Sequence, residues 1–239
     1  MNLAKPTESK KPWLTQGEEK RQAVQEMFGN IAPSYDRMNR LMTANLDRAW
    51  RRTAVRTIGV EPGEVALDLC CGTGDFISIL ELAGARVVGI DFCLPMLAIA
   101  KGKSQSPLSL GDACQLPLAT ASFDVVTVGW GIRNVPDIDR AHREIARVLK
   151  PGGRFVSIDM AIPRQPWIRA ACGVFTGKVL PKVGALLSNR EAYEYLPESA
   201  QRFMSREDLR ASMEAAGFKA VKFRDFAFGN VCMHWGVKE

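Results

Sequence analysis

Histidine is scarce in this chain: His142 and His234 are the only two in 239 residues. The six cysteines, at 70, 71, 93, 114, 172 and 232, include no Cys-x-x-Cys pair, so neither a zinc site nor a disulfide framework is indicated and no metal is expected. Reduced thiols are the default. Cys71, Cys93 and Cys114 follow three predicted strand ends and read as small buried apolar residues beside a pocket. No uncharged run approaches the roughly 18 residues of a spanning helix. The N-terminus is polar rather than signal-like, which predicts a cytoplasmic protein. No Lys/Arg block with interleaved aromatics rises to a nucleic-acid signature, although a net charge of +6 and a pI near 9.1 favour anionic surfaces.

What is present suits one large α/β domain, with 46% hydrophobic residues to build its core. Residues 1–17 are polar, carry Pro6 and Pro12 and lack periodicity, as a disordered tail does. The domain then spans 18–239. Val24, Met27, Phe28 and Ile31 mark an amphipathic helix, and after a break at Pro33 a second stretch carries Met38, Leu41 and Met42; together 18–60 reads as a helical cap. Near-continuous apolar strands follow at Val65–Cys71, Ala85–Phe92, Leu108–Ala113, Phe123–Trp130 and Arg154–Met160, alternating with helices, which specifies a parallel, doubly wound sheet. Before the fifth strand, Ala141, Ile145, Val148 and Leu149 share a helix face that Pro151-Gly152-Gly153 stops. Ser205 caps a late helix carrying Leu209, Met213 and Ala216, with Gly217 as its stop. Two last strands, 220–227 and 231–238, meet around Gly229-Asn230, a hairpin signal.

Residues 162–199 exceed what such a core needs. Trp167, Ile168, Val174, Phe175, Val179, Leu180, Val183, Leu186 and Leu187 are interspersed there with Arg164, Arg169, Lys178 and Lys182. Apolar residues beside cations suit a substrate-side helical insertion, a membrane-surface element or an added helical layer.

The run LDLCCGTGD, Leu67 to Asp75, carries the first chemistry. An apolar strand ending in Gly72-Thr73-Gly74 offers bare backbone to a cofactor, because glycine has no Cβ to block approach. Asp91 ends the second strand, where a carboxylate accepts hydrogen bonds from a ribose diol. Dinucleotide loops have a third glycine and seat a pyrophosphate on the helix N-terminus. Here Ile77 holds that place and Asp75 would repel the phosphates. S-adenosylmethionine brings a sulfonium and an ammonium against one carboxylate, so a loop flanked by Asp68 and Asp75 suits it better than NAD. Asp75 equally suits the first turn of the following helix.

Several stretches together resemble one family, the quinone-biosynthesis C-methyltransferases that make menaquinone and ubiquinone. They are MFGNIAPSYDRMNRLMT (27–43), LDLCCGTGD (67–75), GDACQLP (111–117), FDVVTVGWGIRNVPD (123–137), RVLKPGGR (147–154) and YEYLPESAQRF (193–203), so the likeness runs from about Val24 to Lys238. The glycine loop and LKPGG recur across many methyltransferases, whereas Ala-x-x-Tyr-Asp-x-Met-Asn and Gly-Ile-Arg-Asn-Val are selective. The resemblance implies a class I S-adenosylmethionine-dependent methyltransferase: Rossmann-like, with a seven-stranded, mostly parallel sheet and a C-terminal antiparallel hairpin. It implies cofactor contacts at Thr73, at Asp91 through the ribose, at Asp112 and Ala113 near the adenine, and at Gly129, where other members often carry serine. Cys70-Cys71 and Leu196-Pro197-Glu198-Ser199 look more like the menaquinone branch than the ubiquinone branch.

Methylating a ring carbon needs an electron-rich ring, best made by removing a proton from a hydroquinone hydroxyl. Arg133 and Asn134, just past the fourth strand, stand where open α/β sheets gather their sites. A guanidinium there stabilises a phenolate and works through a water with an acidic partner, since arginine itself is a poor base. Asp36 and Asp112 are candidates for that partner, Asn134 for fixing the ring and Tyr35 for its second oxygen. Post-strand turn and ion-pair roles remain open for Arg133 and Asn134, as do capping and packing for Tyr35 and Asp36. His234 is expected to pack. The expected substrate is a prenylated naphthoquinol, demethylmenaquinol, with the benzoquinol of ubiquinone synthesis as the close variant. A peripheral contact with an anionic membrane surface on the inner face of the cytoplasmic membrane is expected; nucleic acid is not, and a homodimer is left open. The rivals are a nucleic-acid methyltransferase, which would want Asn-Pro-Pro-Tyr where Gly-Trp-Gly-Ile-Arg-Asn stands, a non-catalytic cofactor-binding protein, and a nicotinamide dehydrogenase.

Overall fold

Ala66 and Leu67 are both fully buried and point to opposite faces of one strand, which is why the strand reads as an unbroken apolar run. The structure, a computed structural model, describes residues 17–174 and 198–239. In it β1 (Val65–Leu69), β2 (Arg86–Asp91), β3 (Leu108–Leu110), β4 (Phe123–Gly129) and β5 (Leu149–Met160) run parallel. With β6 (Phe218–Phe226) and β7 (Val231–Lys238) they make one seven-stranded sheet, ordered β3-β2-β1-β4-β5-β7-β6. β7 lies antiparallel to both neighbours, because a hairpin from β6 can only return in the opposite direction. The order reverses between β1 and β4, and that switch point opens a crevice at the strands' carboxyl ends.

One face packs Leu67, Val126, Val128 and Phe155 against α5 (Ile138–Val148) and α7 (Arg206–Ala215). The other packs Ala66, Val125, Val156 and Ile158 against α2 (Leu46–Thr57) and α3 (Asp75–Leu82). A third apolar cluster joins α1 (Gly17–Thr43) to α4 (Leu94–Lys101) through Ile31, Met38, Cys93 and Met96. α6 (Pro166–Val174) buries none of its residues. Among the described residues no helix is long and apolar enough to cross a membrane.

The expected elements are present with altered ends. The helix of the cap does not break at Pro33: α1 passes through it and buries Val24, Met27, Ile31, Ala32 and Met38 along its length. Proline removes one helical N–H and crowds the preceding turn, but the apolar stripe is continuous across it and burial holds the two halves in line. Gly17, assigned to the tail, opens this helix. Leu149 leaves the α5 face and begins β5, which is irregular at Pro151-Gly152-Gly153: Gly152 has φ 76° and the register against β4 shifts there. The turn before β7 is a 3₁₀ turn over Ala227–Gly229, wider than a two-residue hairpin. Ser205 caps α7 as read, its Oγ accepting from the Asp208 amide at 3.1 Å. The tail through residue 16 lies outside the described residues, as do Phe175, Lys178, Val179, Leu180, Lys182, Val183, Leu186 and Leu187 of the insertion and Tyr193–Pro197.

Candidate active site

The glycine loop follows β1 with alternate residues in the left-handed region. Cys70 has φ 55° and Gly72 φ 53°, and Gly74 has φ 85°. A Cβ on Gly72 would meet nothing, so this glycine faces open space, whereas one on Gly74 would come to 3.4 Å from the Ala100 side chain in α4. Gly72 therefore presents backbone to the crevice, while Gly74 is required by its dihedral angle and by helix packing.

Asp91, at the end of β2, is buried and grips the loop. Its Oδ2 accepts from the Gly72 amide at 2.8 Å and its Oδ1 from the Cys93 amide at 2.8 Å. Burial pushes its carboxyl up to about 6, against those two amides, which pull it down. Asp68, pointing to the α2 face, accepts from the Thr127 hydroxyl at 2.8 Å and is pushed up to about 7 by burial. Asp112 accepts from the Cys114 amide at 2.8 Å, which shapes the turn after β3.

Gly72, Asp91 and Asp112 wall a cleft of about 660 Å³, lined also by Ala113, Gly129, Cys70, Phe92, Met96 and Asn134. The pocket cysteine is thus Cys70; Cys93 and Cys114 are buried outside the lining, and Cys71 faces a smaller recess of about 300 Å³ with Asp68, Thr73 and Asp75. Gly129 admits the Phe76 ring, since a Cβ there would lie 2.9 Å from it.

A second cavity of about 1180 Å³ adjoins the first across Phe28, Tyr35 and Trp130, which line both. Met27, Ile31, Met38, Met42, Leu46, Trp50, Met160 and Val231 make it predominantly apolar, and Arg133 and Arg51 bring charge to it. Burial pushes the Tyr35 phenol above its ordinary value, so it stays protonated as a hydrogen-bond donor.

Trp130 sits in the left-handed region at φ 57°. Its carbonyl accepts from Arg133 Nη1 at 2.8 Å and from Asn134 Nδ2 at 3.0 Å, which fixes both side chains on one turn. Arg133 is 6% exposed and Asn134 8%. The guanidinium is paired at 2.6 Å with Asp159 near the end of β5, and Asp159 also accepts from the Arg133 and Met160 amides.

Asp36 is placed elsewhere. Its carboxylate accepts from the Thr73 hydroxyl at 2.5 Å and pairs with Lys103, and it lines none of these three cavities. Burial raises its pKa, but Lys103 and Thr73 outweigh that and hold it below the usual range, which unsuits it as a base. The acidic partner of Arg133 is Asp159, not Asp36 or Asp112. Sequence reasoning missed it although an acid near the carboxyl end of β5 was a usable signal. It also missed Arg51, which pairs with Asp47 at 2.5 Å and stacks over Trp130 at 4.5 Å. His234 packs as expected: Nε2 lies 3.1 Å from the Arg206 carbonyl, and burial lowers its pKa to about 4.

The switch-point crevice, the glycine loop held by a strand-end aspartate and the reversed β7 define a class I S-adenosylmethionine-dependent methyltransferase. A solved methyltransferase of that class from Thermotoga maritima superposes with a TM-score of 0.67 at 22% identity, covering 90% of this chain and 99% of its own, which speaks for the fold alone. Residues 15–238 match the model of the ubiE/COQ5 methyltransferase family, and the chain belongs to that family. It is 40% identical over 223 residues to the ubiquinone/menaquinone biosynthesis C-methyltransferase UbiE of Rubrivivax gelatinosus, covering 92% of this chain and 88% of that one. It is also 40% identical over 227 residues to the demethylmenaquinone methyltransferase of Lactiplantibacillus plantarum, covering 90% and 96%, and 39% identical to that of Staphylococcus aureus, covering 92% and 94%.

Proposed function

We propose that this enzyme methylates a ring carbon of demethylmenaquinol, giving menaquinol, with S-adenosylmethionine as donor. The observation that carries the reading is the pair of adjoining cavities: one at the switch point, lined by Asp91 and Asp112, and a larger one walled mainly by apolar side chains, meeting at Phe28, Tyr35 and Trp130. The names of the relatives from Lactiplantibacillus plantarum and Staphylococcus aureus support the substrate.

The first cleft fits the donor. Asp91, Asp112, Ala113, Gly129 and Gly72 line it; in this reading Asp91 accepts from a ribose diol beside the loop amides it already holds, Asp112 and Ala113 take the adenine end, and Gly129 and Gly72 offer backbone. Asp68 Oδ2 is buried with no hydrogen-bond partner among the described residues, an orphan that an ammonium would satisfy. Thr73 holds the loop through Asp36. When bound, S-adenosylmethionine supplies an electrophilic methyl group and its own leaving group.

The chain's residues do the rest. Arg133 stabilises the ring oxyanion while a water at the guanidinium carries the hydroxyl proton away, and Asp159 fixes the guanidinium's direction. Tyr35 donates to the second ring oxygen, Asn134 orients the ring from the wall of the donor cleft, and the methionine-rich wall takes the start of the prenyl tail at about 0.8 kcal/mol per buried CH₂. An anionic membrane surface is the source of such a substrate. Leu46 on the cavity wall is 50% exposed, Leu41 in the preceding turn is 60% exposed and Phe228, next to the lining residue Ala227, is 83% exposed, with Arg37, Arg48 and Arg224 also exposed.

Labelled methyl transfer to short-chain demethylmenaquinol tests this. Product is expected from the reduced ring and none from the oxidised quinone. Turnover of a benzoquinol alone would move the assignment to the ubiquinone branch, and cofactor binding with no turnover on either would support the non-catalytic reading.

A further inference from the structure

Arg51 carries an unmet donor inside the recess beside β1. The residue is 5% exposed, and the described residues offer no hydrogen-bond partner to its buried Nε. Two carboxylates face it, and neither reaches that atom: Asp47 Oδ2 takes Nη1 at 2.5 Å, and Asp75 Oδ2 stands 3.8 Å from the same Nη1. The guanidinium is held between rings, 4.5 Å from Trp130 and 5.6 Å from Phe76, so its orientation is fixed. Nε lies 3.7 Å from the point a Cβ on Gly129 would occupy, at the mouth of the strand pair.

Leaving a buried N–H of a charged group unpaired is costly, at least about 1–3 kcal/mol. Across the same 300 Å³ recess Asp68 leaves an acceptor unmet in the opposite sense. A donor and an acceptor of opposite charge, both orphaned and lining one small polar recess, are complementary to an α-amino-acid zwitterion, which satisfies both and adds no net charge.

We infer that Arg51 receives the carboxylate of the cofactor's amino-acid end, opposite Asp68 on its ammonium, with Asp47 and the two rings holding the guanidinium in place. This rests on reading the cleft as the S-adenosylmethionine site, and it adds a binding residue from α2 that no loop motif contains. The cap would then take part in cofactor recognition as well as in enclosing the acceptor.

Calorimetry with two ligands tests it. S-adenosylhomocysteine has the amino-acid end, and 5′-methylthioadenosine has the nucleoside and thioether without it. Arg51→Gln is expected to weaken S-adenosylhomocysteine by about 10–100-fold, the range of a hydrogen bond to a charged group, and to leave 5′-methylthioadenosine within about twofold; Arg51→Lys should fall between. The unchanged 5′-methylthioadenosine affinity also certifies a folded site. Equal weakening of both ligands, or no change in either, would overturn the assignment. If the unaltered enzyme binds neither, the cofactor reading itself fails, and this inference with it.

Discussion

Arg133 and Asp159 are 6% and 2% exposed, so each depends on the other to offset lost hydration. Removing one partner of such a buried pair costs about 3–5 kcal/mol, whereas replacing both with apolar residues is often nearly neutral. Arg133→Leu alone should therefore lower the melting temperature and abolish turnover. The double variant Arg133→Leu with Asp159→Leu should regain most of the stability and none of the activity, a contrast that melting curves and methyl-transfer rates will read directly. Asp68 and Asp91 give a pH signature. Burial raises both in the folded state, to about 7 and about 6, so at these two groups the native ligand-free protein holds protons that the unfolded chain has shed, and their contribution to stability declines as pH rises from about 4 to 7, opposed by His142 and His234, which burial lowers to about 4 and whose contribution rises over the same span. Ligand binding runs the other way, because Asp68 must be ionised to take an ammonium. The affinity for S-adenosylhomocysteine should fall as pH drops below about 7, and Asp68→Asn should remove that part of the profile.

At the scale of elements, a close constraint lies where β4 ends against α3. A serine at Gly129 would drive its Cβ to 2.9 Å from the Phe76 ring, so Gly129→Ser should cost about 1–3 kcal/mol in denaturant melts, as overpacking does. The sheet was legible in the sequence because strands covered on both faces must be apolar throughout, as Val125 and Val126 are, with each residue serving a different layer. Gly72, Asp91 and Arg133 were legible because loops at strand ends are local in sequence. Arg51 was not, standing on a polar-looking helix turn, and Asp159 was legible only as a lone acid near the end of an apolar strand; the packing of α2 and β5 around β4 brings the two to the crevice. Pro33 misled for a related reason. Its local cost is real, and burial of Ile31, Ala32 and Met38 exceeds it.

For the whole molecule, the apolar cavity and the basic charge of +6 belong to one account. Exposed Leu46 and Phe228 near the larger cavity, with cations close by in the chain, should bring the enzyme to anionic vesicles, and raised ionic strength should release it. Leu46→Ala with Phe228→Ala should weaken vesicle binding in sedimentation while leaving S-adenosylhomocysteine affinity intact. The central claim is that donor and acceptor occupy separate, adjoining cavities, and Met42→Trp addresses it most directly because Met42 lines only the larger one. Filling that wall is expected to raise KM for a prenylated demethylmenaquinol by about tenfold or more, the equivalent of some 1.4 kcal/mol, while the dissociation constant for S-adenosylhomocysteine stays within about twofold. An unchanged KM, or a cofactor affinity that falls in step with it, would contradict the two-cavity account.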